Sequence, residues 1–219
     1  MAWRVVAIEN PARLSLRDNQ LVIAQDVEAT LPIEDIDSLI LDGYGITTTA
    51  NLLTALATKG TTTIICDEKH LPASVLLPYS QHSRQAKVSR QQLAMSQPLK
   101  KQLWQQTIKQ KISNQAKLLS IYTNTDVGCM YAWADKVRSG DPDNLEARAA
   151  AYYWKNLFSD IPDFVRGREG EPPNNLLNYG YAILRAVVAR SLVASGLLPT
   201  LGIHHHNKYN AYCLADDIM

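Results

Sequence analysis

The sequence predicts an α+β fold in which a small β-rich N-terminal domain is followed by a larger all-α domain. Short segments of alternating or continuous apolar residues fill the first part of the chain and are typical of strands. Beyond them apolar residues recur every three to five positions, which is the spacing of amphipathic helices. With 219 residues, 46% of them apolar, the chain is long enough for one large or two small domains with true cores. We predict an N-terminal domain over 1–76, a linker over 77–83 and a helical domain over 84–219.

The predicted N-terminal domain consists of short strands and one helix. WRVVAIE at 3–9 predicts a strand, and RLSLRDNQLVIAQ at 13–25 predicts a hairpin around an Asp-Asn turn. SLILDG and TTTIICDE predict two buried strands on either side of a helix that ends at Gly60. Strands joined by such a crossover helix are expected to be parallel. The GYG at 43–45 lacks the further glycine of a dinucleotide loop, so we interpret it as a turn.

Helices are predicted for most of the remaining chain. KHLPASVLLPYSQHS, with two prolines and no helical period, predicts the connector between the domains. Apolar residues at helical spacing then predict a long helix, and two more helices are predicted over 143–158 and 178–196. The apolar face predicted for this long helix consists of Leu103, Ile108, Ile112, Ala116 and Leu119.

Two features of the composition bear on where the protein works. The most apolar long stretch is interrupted by Arg185 and Arg190, so it predicts a buried helix and no membrane span. The chain has only three cysteines, widely spaced, and no apolar signal segment at its start. These observations argue against a disulfide framework and predict a cytoplasmic protein in a reducing environment.

Charge is strongly segregated along the chain although the net charge is only +1. No acidic residue occurs between Glu68 and Asp126, whereas this stretch holds nine lysines and arginines. A basic segment without acidic partners favours contact with a nucleic-acid backbone over an ordinary solvated helix face. Arg166 and Arg168, in a glycine-flanked loop, give a weaker signal because four acidic residues surround them. The predicted DNA-binding residues are Arg84, Lys87, Arg90, Lys100, Lys101, Lys109, Lys111, Arg166 and Arg168.

The C-terminal stretch LGIHHHNKYNAYCLADDIM combines histidines and carboxylates, which are ligand types for divalent metals. A solvated histidine loop is the alternative interpretation of this stretch. Upstream, Glu146 opens a predicted helix whose face carries small residues that leave room for a metal. Its alternative is structural, because Asp143 followed by Glu146 fits a helix capping box.

Several motifs together resemble one known family over nearly the whole chain. The motifs are WRVVAIENPARLSLRDNQLVI, CDEKHLPASVLLPY, QKISNQAKLL, NLEARAAAYYWKNLF, NYGYAILRAVVARSLVASGLLPTLGIHH and YNAYCLADDIM. Their order and spacing resemble the CRISPR spacer-acquisition integrase, the universal CRISPR-associated endonuclease, in its type II version. The resemblance implies an N-terminal β-domain used for dimerisation and a C-terminal α-helical catalytic domain. It also implies a metal-dependent site of one glutamate, one histidine and one further acidic residue.

The resemblance assigns site residues to three positions of this sequence. Its helix-opening glutamate falls on Glu146, and the histidine of its Gly-aliphatic-x-His pattern falls on His205. Asp217 matches the aspartate of the closing motif, and the glutamate that ends this motif would come directly after Met219. We therefore expect Mg²⁺ or Mn²⁺ to be held by Glu146 and His205, with Asp217 as a third catalytic residue. With the closing glutamate absent, we expect weak metal binding and little cleavage or strand joining by this chain.

The function implied is a metal-dependent DNA endonuclease and integrase of CRISPR adaptation, an antiviral defence. It would insert prespacer DNA into a CRISPR array by attack of a 3′-hydroxyl on a phosphodiester. The implied partners are double-stranded prespacer and repeat DNA, a second copy of the chain and a small ferredoxin-like adaptation subunit. One alternative is a non-catalytic DNA-binding subunit of the same complex. The other is a zinc hydrolase that uses the three histidines, although consecutive histidines lack the helical i,i+4 pair common in such enzymes.

Overall fold

The computed structural model describes residues 2–79, 82–167 and 171–219. It confirms the predicted fold class, with strands in the first part of the chain and helices after them. The strands are β1 (Arg4–Ile8), β2 (Ala12–Arg17), β3 (Gln20–Ala24), β4 (Glu28–Pro32), β5 (Ile36–Leu41), β6 (Ile46–Thr48), β7 (Thr62–Cys66) and β8 (Pro72–Val75). The helices are α1 (Ala50–Lys59), α2 (Gln85–Leu93), α3 (Gln97–Tyr122), α4 (Gly128–Lys136), α5 (Leu145–Leu157), α6 (Asn174–Ala194) and α7 (Cys213–Ile218).

The strands form two four-stranded sheets, in the orders β1-β5-β7-β8 and β4-β3-β2-β6. The predicted hairpin is confirmed: β2 and β3 pair antiparallel around Asp18 and Asn19, which both adopt the left-handed conformation. The predicted crossover is also confirmed, because β5 and β7 pair parallel on either side of α1. Gly60 ends α1 with a φ of 91°, which a residue with a side chain adopts only at a cost.

The predicted connector is wrong at its start. Pro72–Val75 forms β8, which pairs antiparallel with β7 at the edge of the sheet. Proline is tolerated there because it is the first residue of an edge strand. The turn before β8 is closed by Asp67, whose carboxylate accepts backbone hydrogen bonds from Lys69 and Leu71.

By compactness the described chain divides into two units. The first unit runs to Ala86 and includes Leu177–Leu197, and the second comprises Lys87–Leu176 and Leu198–Met219. Most of α6 thus groups with the strands, where Ala186 packs against Ile40 and Ile64, although the sequence assigned it to the helical domain. The division into a dimerisation domain over 1–76, a linker over 77–83 and a catalytic domain over 84–219 stays a prediction.

The second unit is built around α3. The predicted apolar face is confirmed, since Ile108, Ile112, Ala116 and Leu119 are completely buried, and Leu103 is half-buried. This face packs against buried residues of α4 and α5, among them Met130 and Ala149. None of the helices within the described ranges is both long and apolar enough to cross a membrane.

Candidate active site

The loop that carries the histidines is held in place by one buried carboxylate. Asp217, on α7, is completely buried. Its Oδ2 accepts hydrogen bonds from the backbone N–H groups of Ile203 at 2.5 Å and His204 at 3.0 Å. Its Oδ1 accepts one from the backbone N–H of His205 at 3.1 Å. Gly202 begins this turn because a Cβ at that position would lie 2.8 Å from Asp217 Oδ2.

The same carboxylate orients the ring of His205. Nδ1 of His205 lies 2.6 Å from Asp217 Oδ1. Because an ionised carboxylate only accepts hydrogen bonds, a neutral His205 ring facing it carries its proton on Nδ1, which leaves the lone pair on Nε2 for another group. The His205 side chain is 47% exposed, so this nitrogen is accessible. Asp217 itself is enclosed and in these contacts orients His205, while its predicted role as a catalytic residue stays a prediction.

The indole of Trp104 forms the floor beneath the histidines. Trp104 lies on α3 and is only 2% exposed. The His204 ring stacks on it with 4.3 Å between ring centroids and 2° between the planes. His205 meets the same indole edge-on, with 6.0 Å between centroids. His204 is therefore occupied by packing.

Glu146 is paired with a lysine of α3. Its Oε1 lies 3.1 Å from Nζ of Lys111. The Lys111 ammonium also lies 5.2 Å from the centroid of Trp104, which is within range of a cation–π contact. Glu146 is thus linked through Lys111 and Trp104 to the histidine loop, all within the second unit. No local sequence pattern signals this link, because it depends on three separate segments.

The capping box predicted for the start of α5 is wrong. Asp143 instead binds Arg138 through two hydrogen bonds, at 2.9 and 2.7 Å. Asp141 takes the capping role, and its carboxylate accepts the backbone N–H groups of Leu145 and Glu146. With the backbone so anchored, the Glu146 side chain is left to reach Lys111. The structural alternative for Glu146 therefore loses its basis.

The predicted DNA-binding residues differ in accessibility. Arg84, Lys87, Arg90 and Lys101 are exposed, whereas Lys100 and Lys109 are half-buried. Lys111 is drawn into the pair with Glu146. Arg166 donates a hydrogen bond to Asn174 and lies 5.5 Å from the Trp154 ring, so it is held within its loop. Arg168 lies outside the described residues.

No group of three or more His, Cys, Asp or Glu side chains suited to a metal ion occurs in the part of the chain that the structure describes. The zinc-hydrolase alternative therefore has no ligand set there, since His204 is stacked and His205 faces Asp217. Glu146 and His205 remain as two candidate donors, one oxygen and one nitrogen. The carboxylate suits Mg²⁺ or Mn²⁺, whereas imidazole is more typical of Zn, Cu, Fe and Ni sites, and two donors fall short of the three that the resemblance implies.

Comparison with known proteins finds similarity along almost the entire chain. The profile of the family described as CRISPR associated protein Cas1 matches residues 5–219. The CRISPR-associated endonuclease Cas1 of Neisseria meningitidis serogroup C (strain 8013) is 45% identical over 222 residues, which cover 100% of this chain and 72% of that protein.

Two solved structures are similar in fold. A casposase bound to integration product matches with a TM-score of 0.74 and 20% identity, over 98% of this chain and 68% of that one. A Cas6-RT-Cas1–Cas2 complex contains a chain that matches with a TM-score of 0.66 and 20% identity, over 99% of this chain and 26% of that one. At these identities the two likenesses show the fold alone.

Proposed function

The chain belongs to the CRISPR associated protein Cas1 family, and on this premise we propose that it is a DNA endonuclease and integrase of CRISPR adaptation. The reaction would join the 3′-hydroxyl of a prespacer to a phosphodiester of the CRISPR array, with water as the nucleophile in the endonuclease reaction. The observation that carries this proposal is the arrangement around Trp104, which links an accessible His205 to Glu146. Similarity to an endonuclease along the whole chain supports it.

The chain's own residues supply positioning and charge to this reaction. His205, oriented by Asp217, offers the lone pair of Nε2 to a metal ion. Glu146 supplies a carboxylate whose backbone is fixed by Asp141. No protein nucleophile is needed, because the attacking oxygen belongs to DNA or water. The two side chains would therefore act on the phosphodiester through the cation that they hold.

A hard divalent cation fits this pair in chemistry. Glu146 already has a cationic group, the Lys111 ammonium, at 3.1 Å from its carboxylate, which marks this position as one that attracts positive charge. Glu146 and His205 would hold Mg²⁺ or Mn²⁺. When bound, the ion would polarise the scissile phosphate and stabilise charge on the leaving oxygen.

Double-stranded DNA is the proposed substrate, bound along the basic segment of the second unit. Lys87, Arg90 and Lys101 are exposed there, and residues 69–125 contain no carboxylate side chain to compete with phosphates. The name of the casposase structure includes an integration product, which supports a nucleic-acid substrate for this fold.

The proposed protein partners are a second copy of this chain and a small ferredoxin-like adaptation subunit. In the first unit β1 is an edge strand, and its Val5 is 64% exposed, so pairing with another strand would bury apolar surface. A complex named Cas1–Cas2 among the structural neighbours supports the adaptation subunit.

Strand joining of a labelled duplex to a repeat-containing target, in Mg²⁺ or Mn²⁺, tests the proposed function. We expect joining by the unaltered protein to be weak, because only two donors hold the ion, and we expect Glu146→Gln and His205→Ala to reduce it at least about 100-fold further, the usual scale for removing a group that stabilises transition-state charge. Asp143→Asn is the matched control, because this exposed carboxylate is three residues from Glu146 and binds only Arg138 in the described contacts. Joining by both site variants at the control rate would refute the proposal.

The same assay also tests the alternative function, a non-catalytic DNA-binding subunit. This alternative is favoured by one observation, the absence of a three-ligand group among the residues that the structure describes. If the unaltered protein binds the duplex but neither joins nor cleaves it in either metal, the structural role is the better account.

A further inference from the structure

Lys111 differs from the other lysines of the basic segment in its surroundings. Its side chain is only 16% exposed, and its ammonium lies 3.1 Å from Glu146 Oε1. Lys87, Lys101 and Lys117 are exposed, and the half-buried Lys100 and Lys109 form no ion pair within the described part of the chain. A lysine in a DNA-binding segment is expected to point its charge into solvent, where phosphates can reach it. The position of Lys111 therefore needs an explanation of its own.

The position of the ammonium is fixed by a second neighbour. Trp104 precedes Lys111 by seven residues on α3, so both lie on the same helical face. The ammonium lies 5.2 Å from the indole centroid, and the indole is itself held by His204 stacked at 4.3 Å. A carboxylate and an aromatic ring thus hold the cation together, and both belong to the candidate active site.

This cation competes with any other cation at Glu146. Of the ion pairs seen within the described residues, Lys111 supplies the one made to Glu146. The Glu146 side chain is 35% exposed, so a divalent ion from solvent has access to it. An incoming ion either displaces the ammonium or binds beside it against like-charge repulsion. In both cases Lys111 lowers the affinity of the carboxylate for the ion.

We propose that Lys111 is a built-in counter-cation that masks Glu146 until DNA is bound. This inference rests on the proposed function, because it assumes that a divalent ion binds at Glu146. A phosphate of bound DNA draws the ammonium away from the carboxylate, and the vacated carboxylate then takes the divalent ion. Metal and DNA binding are thereby coupled through one side chain, and the coupling is reciprocal. Lys111 acts through Glu146 as a positioning residue, and the free protein is protected from indiscriminate cleavage.

The inference predicts how metal affinity depends on Lys111 and on DNA. Lys111→Met removes the charge and keeps an unbranched apolar stem over Trp104. We expect this variant without DNA to bind Mn²⁺ about five- to 100-fold more tightly than the unaltered protein, the usual range of coupling between two ligands. Addition of duplex DNA should tighten Mn²⁺ binding to the unaltered protein, and this gain should be much smaller in the variant. Lys117→Met, which removes an exposed lysine of the same helix, should show the gain of the unaltered protein.

Mn²⁺ binding is measured by electron paramagnetic resonance of the free ion, with and without a duplex, on the full chain. Glu146→Gln shows whether the measured Mn²⁺ binds at Glu146. Thermal melting of each variant checks that it folds, and Lys111→Gln replaces Lys111→Met if the latter melts at a lower temperature. If Glu146→Gln abolishes binding but Lys111→Met and Lys111→Gln bind Mn²⁺ no more tightly than the unaltered protein, the masking role is wrong while the metal site stands. If Glu146→Gln binds Mn²⁺ as the unaltered protein does, no metal site exists at Glu146, and both proposals fail.

Discussion

The substitution Asp217→Asn tests whether one buried carboxylate orders the histidine loop. Asp217 is completely buried, and its oxygens accept hydrogen bonds from the backbone of Ile203, His204 and His205 and from the His205 ring. An asparagine keeps one acceptor oxygen, which can serve the two N–H groups now bound to Oδ2. Its NH₂ group then faces the backbone N–H of His205, so two donors oppose each other.

The expected loss follows from these hydrogen bonds. A hydrogen bond to a charged acceptor contributes about 1.5–3 kcal/mol, and a buried donor left without a partner costs about 1–3 kcal/mol. The His205 backbone N–H and the His205 ring N–H both lose Oδ1 as their acceptor, and the bonds to the remaining oxygen lose their charge assistance, so we expect the free energy of unfolding to fall by about 3 kcal/mol. For a chain of this length that corresponds to a decrease in melting temperature of roughly 6–12 °C.

Urea unfolding followed by circular dichroism measures this loss, and tryptophan fluorescence reports on the surroundings of Trp104. Asp216→Asn is the matched control on the same helix. Asp216 is half-buried and accepts a 2.6 Å hydrogen bond from Asn210, which an asparagine oxygen can still accept. We expect the control to lose less than about 1 kcal/mol. Equal losses for the two variants would refute the claim that Asp217 holds the loop.

Other parts of the molecule give three further predictions. Replacement of Lys100, Lys101 and Lys109 by Glu should weaken the binding of unrelated duplexes about equally. The slope of log affinity against log salt concentration should become less steep by about 0.9 for each phosphate that is no longer neutralised, and an unchanged slope would argue against a DNA surface. The chain should sediment as a dimer at micromolar concentration, and a clean monomer would count against pairing through the first unit. Burial, with the nearby charges of Asp42 and Asp67, raises the pKa of Cys66 to about 11. Because the neutral thiol is favoured, site-resolved alkylation of Cys66 should still accelerate about tenfold per pH unit from pH 8 to pH 10, and a plateau near pH 8.5 would contradict this.

Local patterns predicted the regular parts of the fold. The Asp-Asn pair predicted the β2–β3 hairpin because both residues tolerate the left-handed conformation there. The apolar spacing in α3 predicted the burial of Ile108 and Ile112, because helix geometry places these residues on one face. Such signals are carried by neighbouring residues and need no knowledge of the rest of the chain.

The errors arose where a side chain or a segment paired with a different neighbour along the chain than the local pattern indicated. The capping box failed because Arg138 binds Asp143 and leaves the cap to Asp141. The connector was predicted from its prolines, yet pairing with β7 makes Pro72–Val75 a strand. The turn before this strand did have a local signal, because the carboxylate of Asp67 accepts the backbone N–H of Lys69 two residues later.

The resemblance indicated Glu146 and His205, but the sequence alone could not predict what connects them. Trp104 was absent from the predicted apolar face, although it lies four residues before Ile108 and is buried like it. Its spacing could have revealed the burial but not the stacked His204, which lies 100 residues later in the chain. Lys111 was predicted to contact DNA, and only the folded chain shows its contact with Glu146.

The position of a bound metal tests the central claim that Glu146 and His205 build one reaction centre. A crystal of the protein grown with Mn²⁺ and measured at the manganese absorption edge locates the ion by its anomalous scattering. We predict a peak at about 2.0–2.3 Å from both the Glu146 carboxylate and His205 Nε2. An anomalous map with no peak between these two groups, or with manganese bound only elsewhere, would contradict the account.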